Sequence, residues 1–182
     1  NEEKIRPLLR RISANPQDFD AYLQVIDLHV SFRHMDDAMD VVQRLLIADP
    51  SHPDGLAHAF RIYFAQNNLT AARWEALKLI EGNPRDARGP LFLATLNFRL
   101  GNKKEALENA ERAYSINQNE FGAIELMMYF YTNDPSRSED ARRLMPLYNK
   151  LKAKVDADAA EVKKKQEAFE KSLLSEEPET KN

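Results

Sequence analysis

One turn signal returns at a fixed interval and limits what this chain can fold into. Asn15-Pro16, Asp49-Pro50, Asn83-Pro84 and Asn117-Gln118 recur at one constant spacing. A period of about 34 residues marks stacked supersecondary units, each too small to bury its own apolar face alone. Proline cannot continue a helix, and it pushes the residue before it out of the α region. The first three copies therefore stop a helix at a defined place. The fourth has Gln118 where the others have proline, so its turn must rest on Asn117 and Asn119.

The register divides the chain. Residues 3–14 read as one helix with Ile5, Leu8, Leu9 and Ile12 on one face, and Pro7 fits it if it lies in the first turn. This helix is the second half of a repeat, either lacking its first half or serving as an N-terminal cap. Full repeats follow at 19–52, 53–86, 87–120 and 121–154. In the first, helices are expected at about 18–32, capped by Asp18, and at about 36–48. Turns inside the later repeats are expected at Gln66-Asn67-Asn68, at Gly101-Asn102 and at Asn133-Asp134-Pro135. Ser136 and Glu139 have the spacing of a capping box for the last of these helices, and Pro146 should kink it. An amphipathic cap helix is expected at 155–174, either joined to the preceding helix or set off from it, with Ala159, Val162, Phe169 and Leu173 facing one way, and a disordered tail at 175–182. The whole of 1–174 is expected to be one all-α domain.

Columns taken one repeat apart test the idea. Ala38, Ala72 and Ala106 coincide, and one inserted residue brings in Ala141. Ala21, Gly55, Gly89 and Ala123 form a second small column. Small side chains allow close helix approach, and volume cannot be added cheaply at such a contact. Leu28, Ile62, Leu96 and Phe130 form an apolar column, as do Val25, Ala59, Leu93 and Met127, and Ile12, Leu46, Ile80 and Tyr114. The apolar stripes are too wide for one partner helix, so neighbouring repeats must stack to cover them.

With these columns in place, residues 1–154 resemble a tetratricopeptide-repeat (TPR) protein, such as a bacterial TPR domain. The stretch Leu100-Gly101-Asn102-Lys103-Lys104-Glu105-Ala106-Leu107-Glu108-Asn109-Ala110 carries the resemblance most closely. It implies antiparallel helix pairs in a right-handed superhelical solenoid, with a concave peptide-binding groove lined by one face of the first helices. Carried over column by column, the groove residues are Leu23, Asp27, Val30, Arg61, Phe64, Arg88, Leu91, Thr95, Phe98, Arg99, Glu125 and Tyr129. Val30, Phe64 and Phe98 would form an apolar floor with arginines beside it, suited to a peptide or helix bearing an apolar anchor and an acidic group. The two phenylalanines could equally pack between adjacent first helices. One TPR subclass grips a terminal carboxylate with lysine, asparagine and arginine. Here the first repeat offers Asp20, Leu23 and Asp27, and two carboxylates would repel that group.

Other chemistry is weakly represented. Trp74, the single tryptophan, shares a column with Asp40 and Glu108. It is expected to fold down over a neighbouring helix, and exposure would make it an outer-face anchor for a partner. No pair among His29, His34, His52 and His58 has the helical spacing of a metal motif, so they read as structural or surface residues. No catalytic residue, cofactor site or metal site is assigned. The absence of cysteine excludes disulfides and thiol chemistry. Residues 155–182 hold five lysines and eight carboxylates, which supply the whole net charge of −3. The remainder is balanced, unlike a nucleic-acid binder. No apolar run reaches the roughly 18 residues of a membrane span.

The expectation is therefore a non-catalytic interaction scaffold binding a peptide or partner subunit. Alternatives are an envelope assembly factor or chaperone holding an unfolded client such as an apocytochrome c, an enzyme subunit, and a homo-oligomer built by end-on stacking. Cytoplasm and bacterial periplasm both remain open.

Overall fold

The computed structural model describes residues 2–175. Of the side chains beyond residue 165, only those of 167 and 168 are described. Among the described residues the structure is helical, with no strand. The helices are α1 (Glu2–Ala14), α2 (Phe19–Ser31), α3 (Met35–Ala48), α4 (Pro53–Ala65), α5 (Leu69–Gly82), α6 (Arg88–Arg99), α7 (Lys103–Ile116), α8 (Phe121–Thr132) and α9 (Ser138–Ser175). A 3₁₀ turn, Pro135–Arg137, precedes α9. The chain forms two compact units, Asn1–Met127 and Met128–Asn182, the boundary falling within α8.

The turn between repeats is built the same way four times. The N–H groups of Asp18, His52, Asp86 and Glu120 donate to the carbonyls of Asn15, Asp49, Asn83 and Asn117, at 3.0, 3.1, 2.9 and 3.0 Å. In three copies the Asx side chain also accepts from the backbone two residues on: Asn15 from Gln17, Asp49 from Ser51, and Asn117 from Asn119 at 3.0 Å. Such Asx turns need no proline, which is why Gln118 is tolerated. In the third copy Asn83 instead donates from Nδ2 to the Ser51 carbonyl at 2.8 Å, tying one turn to the turn before it.

The turn inside each repeat is equally regular. Arg33, Asn67 and Gly101, at the same place in successive repeats, all have positive φ (60°, 59° and 79°). Each closes a Schellman motif. Arg33 N–H donates to Val30 O and His34 N–H to His29 O, and the equivalent pairs recur after α4 and α6. Asp18 caps α2 by accepting from Ala21 N–H, and Asn68 caps α5 through Ala71 N–H.

The small columns mark where successive repeats touch. Ala21, Ala38, Ala72, Ala106 and Ala123 are fully buried. A Cβ on Gly55 would stand 2.5 Å from Leu45 Cδ2, and one on Gly89 2.7 Å from Ile80 Cγ1 and 3.3 Å from the Ile80 nitrogen. These helices can approach so closely only because no side chain intervenes. Helix α4 shows why one pair cannot stand alone. Its Ala59 and Ile62 belong to the core built with α1–α3, while Leu56, Ala57 and Phe60 belong to the core shared with α5 and α6. Phe60 stacks on Phe92 of the next repeat at 4.1 Å between centroids, a pairing worth about 1 kcal/mol beyond its buried area.

In three places the structure departs from the expectations. Helix α1 begins at Glu2, so Pro7 lies in its second turn. The Ser136–Glu139 capping box does not form. Asp134 instead accepts from both Ser136 N–H and Ser136 Oγ, drawing Ser136 into the 3₁₀ turn, and Glu139 pairs with Arg142 and Arg143. The junction that the sequence left open is closed: the second helix of the fourth repeat and the expected cap helix are one continuous helix, α9, which runs through Pro146. Of the expected cap face, Val162 is 65% exposed and Ala159 is exposed too, so that face is not buried there. Phe169 and Leu173 are not among the described side chains, and the expected tail lies, from residue 176, outside the described residues.

Candidate peptide-binding groove

Within the first unit, α2 packs on α4 and α4 on α6, whereas among the described residues α3 makes no such contact with α5, nor α5 with α7. First helices that touch while second helices splay make a curved layer with α2, α4 and α6 on its inner side. The expected groove residues carried by these three helices are found in different states.

Arg88 is already engaged. Its Nε and Nη2 donate to Asp86 at 3.0 and 2.7 Å, and Nη1 donates to Asp54 at 2.6 Å. These bonds raise its pKa further. They also hold the Asp86 carboxyl below its ordinary value, although burial works the other way. Glu120, on the same cleft, is pushed up by burial and secondarily by Asp86. This cleft of about 820 Å³ at the junction of the second and third repeats offers no unspent positive charge from Arg88.

Arg99 donates from Nη1 to the Phe64 carbonyl at 3.1 Å, and its guanidinium lies 4.7 Å over the Phe64 ring. Phe64 is half-buried beneath it, while Phe98 is 41% exposed. The phenylalanines thus differ: Phe64 lies under the guanidinium of the next first helix, and Phe98 is the more exposed of the two. Leu23, Val30, Leu91 and Thr95 are half-buried, and Asp27 and Glu125 are exposed. Tyr129, in the second unit, is 47% exposed.

Between α2 and α4 lies a pocket of about 280 Å³ lined by Val30, Met35, Ile62 and Ala65, with His58 and Arg61 completing it. Arg61 is exposed, lies 5.7 Å over the Phe92 ring, and makes no ion pair among the described residues. One turn before it on α4, His58 Nε2 stands 3.6 Å from Asp27 Oδ1 of α2. Burial lowers the His58 pKa despite that carboxylate, and Arg61 lowers it further. The sequence columns identified Val30 and Arg61 but missed Met35, His58, Ile62 and Ala65. These line the pocket from a helix start and from faces that a groove column does not sample.

Trp74 does not fold over a neighbour: it is 62% exposed on α5. Its column partners Asp40 and Glu108 are exposed too, so the repeat register, rather than the burial habit of tryptophan, decided its place. Leu77, one turn on, is 39% exposed, and Ile47 on α3 is 81% exposed.

No known family model and no curated protein matches the sequence. Solved structures do resemble the fold. The crystal structure of MamA aligns with 86% of this chain and 89% of its own at 17% identity, with a TM-score of 0.61. YrrB, described as a TPR protein with an unusual peptide-binding site, aligns with 79% of this chain and 74% of its own at 19% identity and a TM-score of 0.62. PilF of Pseudomonas aeruginosa aligns with 82% of this chain and 68% of its own at 16% identity and a TM-score of 0.71. These likenesses establish the tetratricopeptide-repeat fold.

Proposed function

We propose that this chain, with its tetratricopeptide-repeat fold, is a non-catalytic interaction module that holds a peptide or a partner's helix against the inner face of α2, α4 and α6. The reading rests on the pocket of about 280 Å³ between α2 and α4, an apolar concavity with Arg61, which makes no ion pair among the described residues, at its rim. A preformed apolar concavity takes an aliphatic or aromatic anchor, and a guanidinium beside it selects a carboxylate. Arg88 is excluded as the carboxylate reader because Asp54 and Asp86 already neutralise it. Arg99, over Phe64, holds the floor of the groove in place. The stacked helices are rigid before the ligand arrives, so little scaffold entropy is lost on docking. YrrB, a TPR protein with an unusual peptide-binding site, agrees with this reading at the level of the fold.

A displayed random-peptide library tests it. Enriched peptides are expected to carry one large apolar residue close to Asp or Glu. Their affinity should fall roughly tenfold or more in Arg61→Glu. An Arg61→Glu, Phe98→Ala double variant that retains every peptide at wild-type affinity would mean that the inner face is not the binding surface.

A further inference from the structure

The turn between α2 and α3 differs from its counterparts in a way that the groove does not explain. The positions held by His29, His34 and Asp37 are held by Tyr63, Asn68 and Ala71 in the second repeat, and by Asn97, Asn102 and Glu105 in the third. In the second repeat the Asn68 side chain caps the next helix at Ala71 N–H. In the third, Asn102 Nδ2 donates to Asn97 Oδ1 at 3.2 Å. His34 makes no capping bond. Its Nδ1 lies 3.7 Å from Asp37 Oδ2, and His29 Nδ1 lies 3.8 Å from the same oxygen. His29 Nδ1 is buried and has no hydrogen-bond partner. The three donor atoms lie within 4.8 Å of one another.

We propose that His29, His34 and Asp37 form a site for one first-row transition-metal ion of the zinc(II) type, which clamps the two helices of the first repeat together. Two imidazole nitrogens and one carboxylate oxygen suit zinc, nickel, cobalt or copper, whereas calcium and magnesium want oxygen donors alone. Donors at normal zinc distances stand about 3.3 Å apart around a tetrahedral ion. His34 and Asp37, whose side chains are 52% and 62% exposed, have room to rotate toward that spacing. The frame beneath them is fixed by the Schellman bonds from Arg33 N–H to Val30 O and from His34 N–H to His29 O. The carbonyl end of α2 favours a cation here and the start of α3 opposes it, while Asp36 beside the site adds negative charge. The exposed side leaves the remaining coordination positions to water.

The chain, free of any affinity tag and stripped with a chelator, is titrated with zinc ion alone by calorimetry, and its thermal midpoint is followed in parallel. One ion per chain and a rise in midpoint are expected. His34→Ala and Asp37→Asn, both exposed, should fold normally. Each should weaken binding at least about tenfold, the lower end of what even loss of a supporting group costs a metal site. His52→Asn, at the cap of α4 and outside the cluster, should bind as wild type does. The proposal is overturned by absence of zinc binding, by equal affinity in His34→Ala and wild type, by loss of binding in His52→Asn alone, or by preference for magnesium over zinc.

Discussion

Asp54 and Arg88 occupy the same place in successive repeats and meet in a 2.6 Å hydrogen-bonded ion pair. The repeat therefore does more than stack apolar faces, because one column position reads its own next copy. Asp86 completes the arrangement from the turn before α6, so one guanidinium joins two repeats and the loop between them.

Removing that guanidinium should destabilise the stack. Arg88→Met leaves Asp86, 17% exposed, without its bidentate partner, and a loss of about 1–3 kcal/mol follows. Asp54 is 43% exposed, so solvent screens its share and Asp54→Asn should cost less than about 1 kcal/mol. Urea midpoints of the two variants measure the difference. An Asp54→Asn loss as large as that of Arg88→Met would mean that the inter-repeat arm, and not the loop, dominates.

The two close-approach glycines should respond unequally to a methyl group. Alanine gains up to about 1 kcal/mol over glycine from helix propensity alone, and overpacking takes back about 1–3. At Gly55 the nearest obstacles are the ends of the Leu45 and Leu46 side chains, which can shift. At Gly89 the Ile80 backbone nitrogen stands within 3.3 Å. Gly89→Ala should thus be the more destabilising by about 1 kcal/mol or more, as read from thermal midpoints. The opposite order would show that the α5–α6 contact relaxes more readily than the α3–α4 contact.

The left-handed turn residues offer opposite substitutions at one position of the repeat. Arg33 has φ 60° and bears a side chain, whereas Gly101 has φ 79° with nothing within 4 Å of an added Cβ. Only backbone strain is at issue in either, so Arg33→Gly should stabilise by up to about 1 kcal/mol and Gly101→Ala should cost about as much. Equilibrium unfolding of the pair checks both signs. No gain in Arg33→Gly would point to an unsuspected contact of the arginine side chain.

Acid should weaken the fold through His58. Burial is the main cause of its lowered pKa; Asp27 and Asp54 oppose that shift, and Arg61 and Arg88 reinforce it. A histidine depressed in the folded state costs nothing while both states are neutral. Below about pH 6.5 the unfolded chain takes up the proton first, and stability falls until the folded pKa is reached. Asp86, also depressed, adds its loss only below the ordinary carboxylate range, while Glu120, raised, acts in the opposite sense. The effect is therefore read as the difference between wild type and His58→Gln over pH 5–8. Parallel curves would show that His58 ionises freely in the folded state.

Much of the fold was legible because it is local and repeated. Asx turns, helix caps and small-residue columns depend on residues a few positions apart, and four copies in register reinforced each reading. Whether the cap segment joins the helix before it stayed open in the sequence for a related reason. After residue 154 no repeat constrained the pattern, and a helical stretch following a helix contains nothing that requires a break. The columns name groove candidates by their place on the first helices, but the availability of each side chain was not legible. Arg88 is spent on partners in the adjoining loop and in the preceding repeat. Arg61 is open because no such partner reaches it among the described residues, and neither outcome is written in its own column.

By itself the sequence determined the period, the ends of most helices and the faces that must be covered, since backbone sterics and apolar spacing act within one repeat. The tertiary structure alone decided which charges cancel and that His29, His34 and Asp37 converge. Those outcomes depend on angles between helices and on side-chain rotations, and a linear pattern does not encode either until packing has fixed them.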